Sequence, residues 1–174
     1  ALLYRPPPDR APGERMIYSD IGAFMMGRVV EKVSGQRLDE YLAAHVFGPL
    51  GMTQTMFRPA DSLLKRIAPT ERDTLRGGLV RGFVHDERAY YLGGIAAHAG
   101  LFSTAADLSR FATMLLRRGT LDSVSILREE TITLFTTHFD STINNRALGW
   151  QKPDGGVMRD KTPAGAWAGQ FMSG

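Results

Sequence analysis

The sequence contains no cysteine. That excludes disulfides, thiolate metal sites and a cysteine nucleophile together. It does not exclude an oxidising compartment, because a protein there needs no disulfide. No run of about 18 apolar residues occurs, so no transmembrane helix is expected. Charge of one sign is nowhere concentrated. Lys+Arg is 21 and Asp+Glu is 18, a net charge of +3. The pI near 9.4 reflects that small surplus rather than a basic arm, so a nucleic-acid-binding role is disfavoured. The N-terminal Ala1-Leu2-Leu3-Tyr4-Arg5-Pro6-Pro7-Pro8 lacks the basic region, apolar core and cleavage site of a signal peptide. It also lacks an initiator Met, and the true start of the protein is expected upstream.

What is present is the composition of a soluble globular protein. Hydrophobic residues make up 43% and charged residues 22% of 174. These proportions exclude disorder, collagen and coiled coil. The length suits one ordinary domain or part of a larger one.

Apolar periodicity predicts four helices. Ile21, Phe24, Met25 and Val29 share one stripe, with Met26, Val30 and Val33 on the next. A face this wide predicts a buried helix. Ser19 or Asp20 can cap it by accepting from a free backbone N–H, and Gly35 can close it in the left-handed conformation. A second helix fits Leu38–Val46, ended by Pro49. The clearest runs from Thr104 to Arg118, where Thr104 and Asp107 have capping-box spacing and Gly119 follows as the terminator. A fourth covers Arg128–Phe135. Short strands are expected at Gly78–Val84 and Ala147–Trp150, with a hairpin turn at Asp154-Gly155-Gly156. The Met residues, Met16, Met25, Met26, Met52, Met56 and Met114, read as core filler.

Several segments carry a further signal in a fixed order. Pro12-Gly13-Glu14-Arg15 leads into Tyr18-Ser19-Asp20 and the apolar helix ending Val33-Ser34-Gly35. Phe47-Gly48-Pro49-Leu50-Gly51-Met52 follows, with Thr55 and Phe57 just after. Then come Val84-His85-Asp86-Glu87-Arg88-Ala89 and Leu92-Gly93-Gly94, and finally His98-Ala99-Gly100-Leu101-Phe102-Ser103-Thr104-Ala105-Ala106-Asp107-Leu108. Over residues 12–150 this resembles the serine β-lactamase-related hydrolases: class C β-lactamases, D-Ala-D-Ala carboxypeptidases and related esterases of penicillin-binding-protein fold. The His85-Asp86 region resembles a periplasmic branch.

The resemblance implies an α+β fold of β-lactamase/transpeptidase type, in which this chain holds mostly the helical lobe and the first returning strands of the sheet. It implies acyl transfer through a Ser in Ser-x-x-Lys, a Tyr in Tyr-x-Asn and a third motif, Lys- or His-Thr-Gly. Tyr18 matches the family Tyr and is the candidate catalytic residue. Its ordinary pKa of about 10 is too high for a base unless cations lower it. Asp20 stands where the family often has Asn. An ionised carboxylate only accepts hydrogen bonds, so another substrate contact or a structural cap is expected there. Ser19, Asp20, Asp86 and His98 are the candidate substrate-binding residues. His85-Asp86 and His98 also fit metal ligation, a base with its orienting carboxylate, a place in the pocket wall or plain structural hydrogen bonding, but no HExxH or tight His pair supports a metal. No metal and no cofactor is expected.

No Ser-x-x-Lys precedes Tyr18. Ser62-Leu63-Leu64-Lys65 has the spacing but follows the Tyr motif, and Lys161-Thr162-Pro163 imitates Lys-Thr-Gly with a Pro that has no N–H for an edge strand. Residues 1–174 are therefore expected to be one partial β-lactamase-like domain, without the nucleophile region and without the third-motif strand. The expected substrate is a β-lactam, an ester or a D-Ala-D-Ala peptide, the last being a peptidoglycan peptide. The alternative is a catalytically inactive, cell-wall-associated binding module. The resemblance points to the periplasm or cell envelope.

Overall fold

The computed structural model describes residues 10–137 and 146–150. Residues 19–117 and 121–126 form one compact unit, and the other described residues belong to a second.

In the first unit, α1 (Asp20–Ser34) starts where the sequence predicts. Ser19 is extended, and its hydroxyl accepts from the Ile21 N–H. Gly35 closes the helix at φ 70°, donating to the Glu31 carbonyl, a conformation in which a Cβ would be strained. α2 (Leu38–Leu42) packs against α1. It continues as one π turn, Ala43–Phe47, closed by Gly48 N–H donating to the Ala43 carbonyl at 2.9 Å. The predicted helix Leu38–Val46 is thus one helical run with a change of pitch, which ends where Pro49 cannot donate.

Among the described residues the strands are short, each two residues long. β1 (Met56–Phe57) pairs antiparallel with β4 (Leu101–Phe102), Met56 opposite Phe102. β2 (Arg72–Asp73) pairs with β3 (Gly78–Leu79). The strand expected over Gly78–Val84 therefore stops at Leu79. Gly82, at φ 79°, turns the chain away. Between these pairs lie a 3₁₀ helix (Asp61–Arg66) and α3 (Glu87–Tyr91).

α4 (Ala105–Leu116) is amphipathic and buries Met114 and Leu115. Thr104 Oγ1 accepts from Asp107 N–H at 3.2 Å, a cap of about 1 kcal/mol. The other half of the predicted capping box does not form. Asp107 Oδ2 instead accepts from Gln54 N–H at 2.7 Å and from Thr55 Oγ1 at 2.8 Å. Thr55 Oγ1 lies 2.7 Å from Ser103 Oγ. Thr55 has one proton and gives it to Asp107, so Ser103 donates to Thr55. Two of the recurring sequence segments are held together by this buried network. The helix ends at Leu116, and the first left-handed residue is Arg118 at φ 57°, ahead of Gly119. Asp122, at φ 53°, turns the chain between β5 (Thr120–Leu121) and β6 (Val124–Ser125).

The largest fully buried side chains of this unit are Leu50, Val80 and Met114, with Met52 close behind. The prediction for α1 is overturned in part. Gly27 is its one buried residue, while Met26 and Val33 are 61% and 82% exposed. Met16 is exposed as well, so neither Met16 nor Met26 fills a core here.

In the second unit, α5 (Glu129–Thr136) begins one residue later than predicted, and Arg118 pairs with Glu129 in its first turn. The expected strand Ala147–Trp150 is instead a bend, across which Ala147 N–H donates to the Trp150 carbonyl at 2.8 Å. Asp154-Gly155-Gly156 and Lys161-Thr162-Pro163 lie outside the described residues.

Candidate active site

Tyr18 is the last residue before the cap of α1. Its side chain is 65% exposed, and the Arg146 guanidinium lies 5.2 Å from its ring centroid. This is cation–π distance. The contact orients an otherwise open ring and leaves the phenol accessible.

Ser19 spends its oxygen on the helix cap, at 3.2 Å from Ile21 N. Asp20 lies in the first turn of α1, where a carboxylate suits the helix dipole. Its Oδ2 accepts from Arg88 Nη1 at 3.1 Å, a contact spanning 68 residues.

Asp86 and His98 come together. Asp86 Oδ1 accepts from Ala89 N–H at 2.7 Å, which caps α3, and lies 3.1 Å from His98 Nε2. The Ala89 N–H, reinforced by His98, holds the Asp86 carboxyl below its ordinary value, against the opposing effect of burial. An ionised Asp86 can only accept, so the proton of that bond sits on His98 Nε2. The His98 side chain is 6% exposed, and its Nδ1 is buried without a hydrogen-bond partner. His85 takes another route and pairs with Glu71 on the surface.

Arg76 fastens the segment that leads into Asp86. Its Nη1 donates to the Val84 carbonyl at 2.9 Å and its Nη2 to the His85 carbonyl at 2.6 Å. Its Nε lies 2.9 Å from Asp73 Oδ2, and its side chain is 7% exposed. A buried guanidinium is tolerated because its donors are matched. Ala89 packs with Val84 and Ala96.

Arg88, Arg76 and Arg146 were missed from sequence. Arg88 had a visible signal, being two residues after Asp86 in a quoted segment. Arg76 had none, since its role depends on two carbonyls that only the fold brings near.

Ser62 and Lys65 lie on the 3₁₀ helix, where residues three apart eclipse. Both are exposed and no hydrogen bond joins them. Among the described residues no three His, Asp or Glu side chains group as a metal set, and no helix is long and apolar enough to cross a membrane.

Comparison with known proteins gives one consistent answer. An Escherichia coli K12 protein provisionally named a D-alanyl-D-alanine carboxypeptidase is 37% identical over 166 residues, covering 86% of this chain and 38% of its own. A Bacillus subtilis 168 protein named N-acetylmuramyl-L-alanine amidase is 34% identical over 164 residues, covering 86% and 37%. The penicillin-binding protein of Bacillus halodurans superposes with a TM-score of 0.55 at 28% identity, covering 74% of this chain and 36% of that one. The chain thus spans less than two-fifths of the length of these relatives. The fold is α+β and β-lactamase/transpeptidase-like, covering part of a domain. The β-lactamase family profile matches residues 1–172, and the chain belongs to that family.

Proposed function

We propose that this chain is the tyrosine-bearing part of a serine hydrolase that cleaves a D-alanyl-D-alanine-type peptide or a related amide or ester. The nucleophile comes from a Ser-x-x-Lys element outside these 174 residues. In the reaction the serine oxygen bonds to the substrate carbonyl carbon and its proton passes to the Lys–Tyr18 pair. That proton then goes to the leaving amine or alcohol as its bond to carbon breaks. Water next attacks the acyl carbon, its proton passes through the same pair to the serine oxygen as the acyl–serine bond breaks, and the acid product leaves.

The observation that carries this reading is the setting of Tyr18. The helix cap Ser19 follows directly, and Tyr18 stays exposed while its ring meets Arg146. The names of the relatives favour a cell-wall peptide as substrate. Asp20 serves at the substrate as a hydrogen-bond acceptor, with Ser19 holding the helix start beneath it.

Tyr18→Phe in the complete gene product tests the reading. Phe keeps the ring and its packing, so the melting temperature should hold. Turnover should fall about 10²- to 10⁴-fold, the usual size of a proton-transfer contribution. Unchanged turnover in a folded variant sinks the assignment.

A further inference from the structure

We infer that Arg88 is a positioning residue that fixes Asp20, and that the Asp86–His98 pair holds Arg88 in place to do so. The inference rests on the preceding reading of Asp20 as a substrate contact. Both ends of Asp20's setting are visible. Oδ2 accepts from Arg88 Nη1 at 3.1 Å, and no described residue donates to Oδ1. The side chain is one-third exposed. One oxygen is therefore committed to the guanidinium and the other is left as an acceptor. A carboxylate held this way takes an N–H donor, as an amide or ammonium group supplies, and repels a carbonyl oxygen.

Arg88 reaches Asp20 from α3, which has five residues. A helix this short does not hold itself, because nucleation costs more than its few bonds return. Its direction comes from two anchors. Ala89 is fully buried against Val84 and Ala96. Asp86 caps the first turn through Ala89 N–H at 2.7 Å and is itself held by His98 at 3.1 Å. Both bonds converge on one oxygen of Asp86, and His98 is buried and cannot swing away. The line from His98 to Asp86, through α3 to Arg88 and on to Asp20 lies within one compact unit.

The Arg88–Asp20 pair itself contributes little to stability. The Arg88 side chain is 71% exposed, and exposed pairs are screened. Its removal therefore separates positioning from folding. The test uses the complete gene product and an N-acyl-D-alanyl-D-alanine peptide as substrate, with Arg88→Ala, Arg88→Lys, Asp20→Asn and the double variant R88A/D20N. Arg88→Ala should lower kcat/KM five- to tenfold, mainly through KM, with an unchanged melting temperature. Arg88→Lys should recover part of the loss. In the D20N background, R88A should cost nothing more, because Arg88 acts only through Asp20. His98→Ala should reproduce the R88A loss, and a folded His98→Ala with native kcat/KM would overturn the role given to the Asp86–His98 pair; if His98→Ala does not fold, Asp86→Ala is read in the same way.

Losses that multiply in the double variant would mean that Arg88 meets substrate itself, and would overturn the inference. So would an R88A enzyme with native kcat/KM beside an impaired Tyr18→Phe. If Tyr18→Phe were fully active while R88A and D20N stayed non-additive, the tyrosine assignment would fall and the positioning role would stand.

Discussion

Asp107 shows what one buried carboxylate does in this chain. It is 6% exposed and receives Gln54 N–H and Thr55 Oγ1 on a single oxygen. Asp107→Ala would strand both donors, and each buried, unpaired group costs about 1–3 kcal/mol. A drop in urea midpoint with an unchanged slope is expected, larger than for Thr104→Ala, which removes one cap worth about 1 kcal/mol. An equal drop for the two would show that the Gln54 and Thr55 contacts carry no weight. Asp86 gives a pH signature. Its folded pKa is depressed, first by the Ala89 N–H and then by His98. A depressed carboxylate contributes stability above its unfolded pKa of about 3.9 and loses it as pH falls through the folded value. Melting temperatures recorded from pH 5 down to pH 2 should therefore fall less steeply for Asp86→Asn than for the native chain. Parallel curves would remove Asp86 from the acid response. At this scale the sequence was partly legible. Asp86 and His98 were each named as candidates, Asp86 beside His85, but their bond to each other was not foreseen, because the stretch between them has no periodicity that dictates a return.

At the scale of elements, α1 and α4 were read almost to the residue. Both carry side-chain caps, and local chemistry of that kind is decided within one turn. The short strands were misjudged because two-residue ladders leave no alternation to count. Gly27 shows a tertiary demand inside a local element. A Cβ there would sit 2.9 Å from the Ala97 Cβ. Gly27→Ala gains about 1 kcal/mol of helix propensity, but overpacking costs about 1–3 kcal/mol, so the variant should be less stable. Adding Ala97→Gly should recover the loss. If Gly27→Ala alone raised the melting temperature, the close approach of α1 to Ala97 would be wrong.

For the molecule as a whole, α1 leaves Met26, Val29 and Val33 exposed, and the chain spans less than two-fifths of the Escherichia coli and Bacillus subtilis relatives. The 174-residue polypeptide should not form an acyl-enzyme. Ser62 is exposed and has no hydrogen bond to Lys65, and a neutral serine without a base is a poor nucleophile. Incubation with a fluorescent penicillin followed by a denaturing gel should give no labelled band. A band abolished by Ser62→Ala would make Ser62-Leu63-Leu64-Lys65 a working site.

The sequence by itself determined the family, the helix starts at Ser19 and Thr104 and the left-handed end at Gly35. Each rests on neighbours within a few residues or on the order of segments along the chain. The tertiary structure alone decided where the charges go: Asp107 to Gln54 and Thr55, Asp86 to His98, Arg76 to the Val84 and His85 carbonyls, and Arg88 to Asp20. Polar groups far apart in sequence find partners only when folding removes water and leaves each of them one geometry that satisfies it.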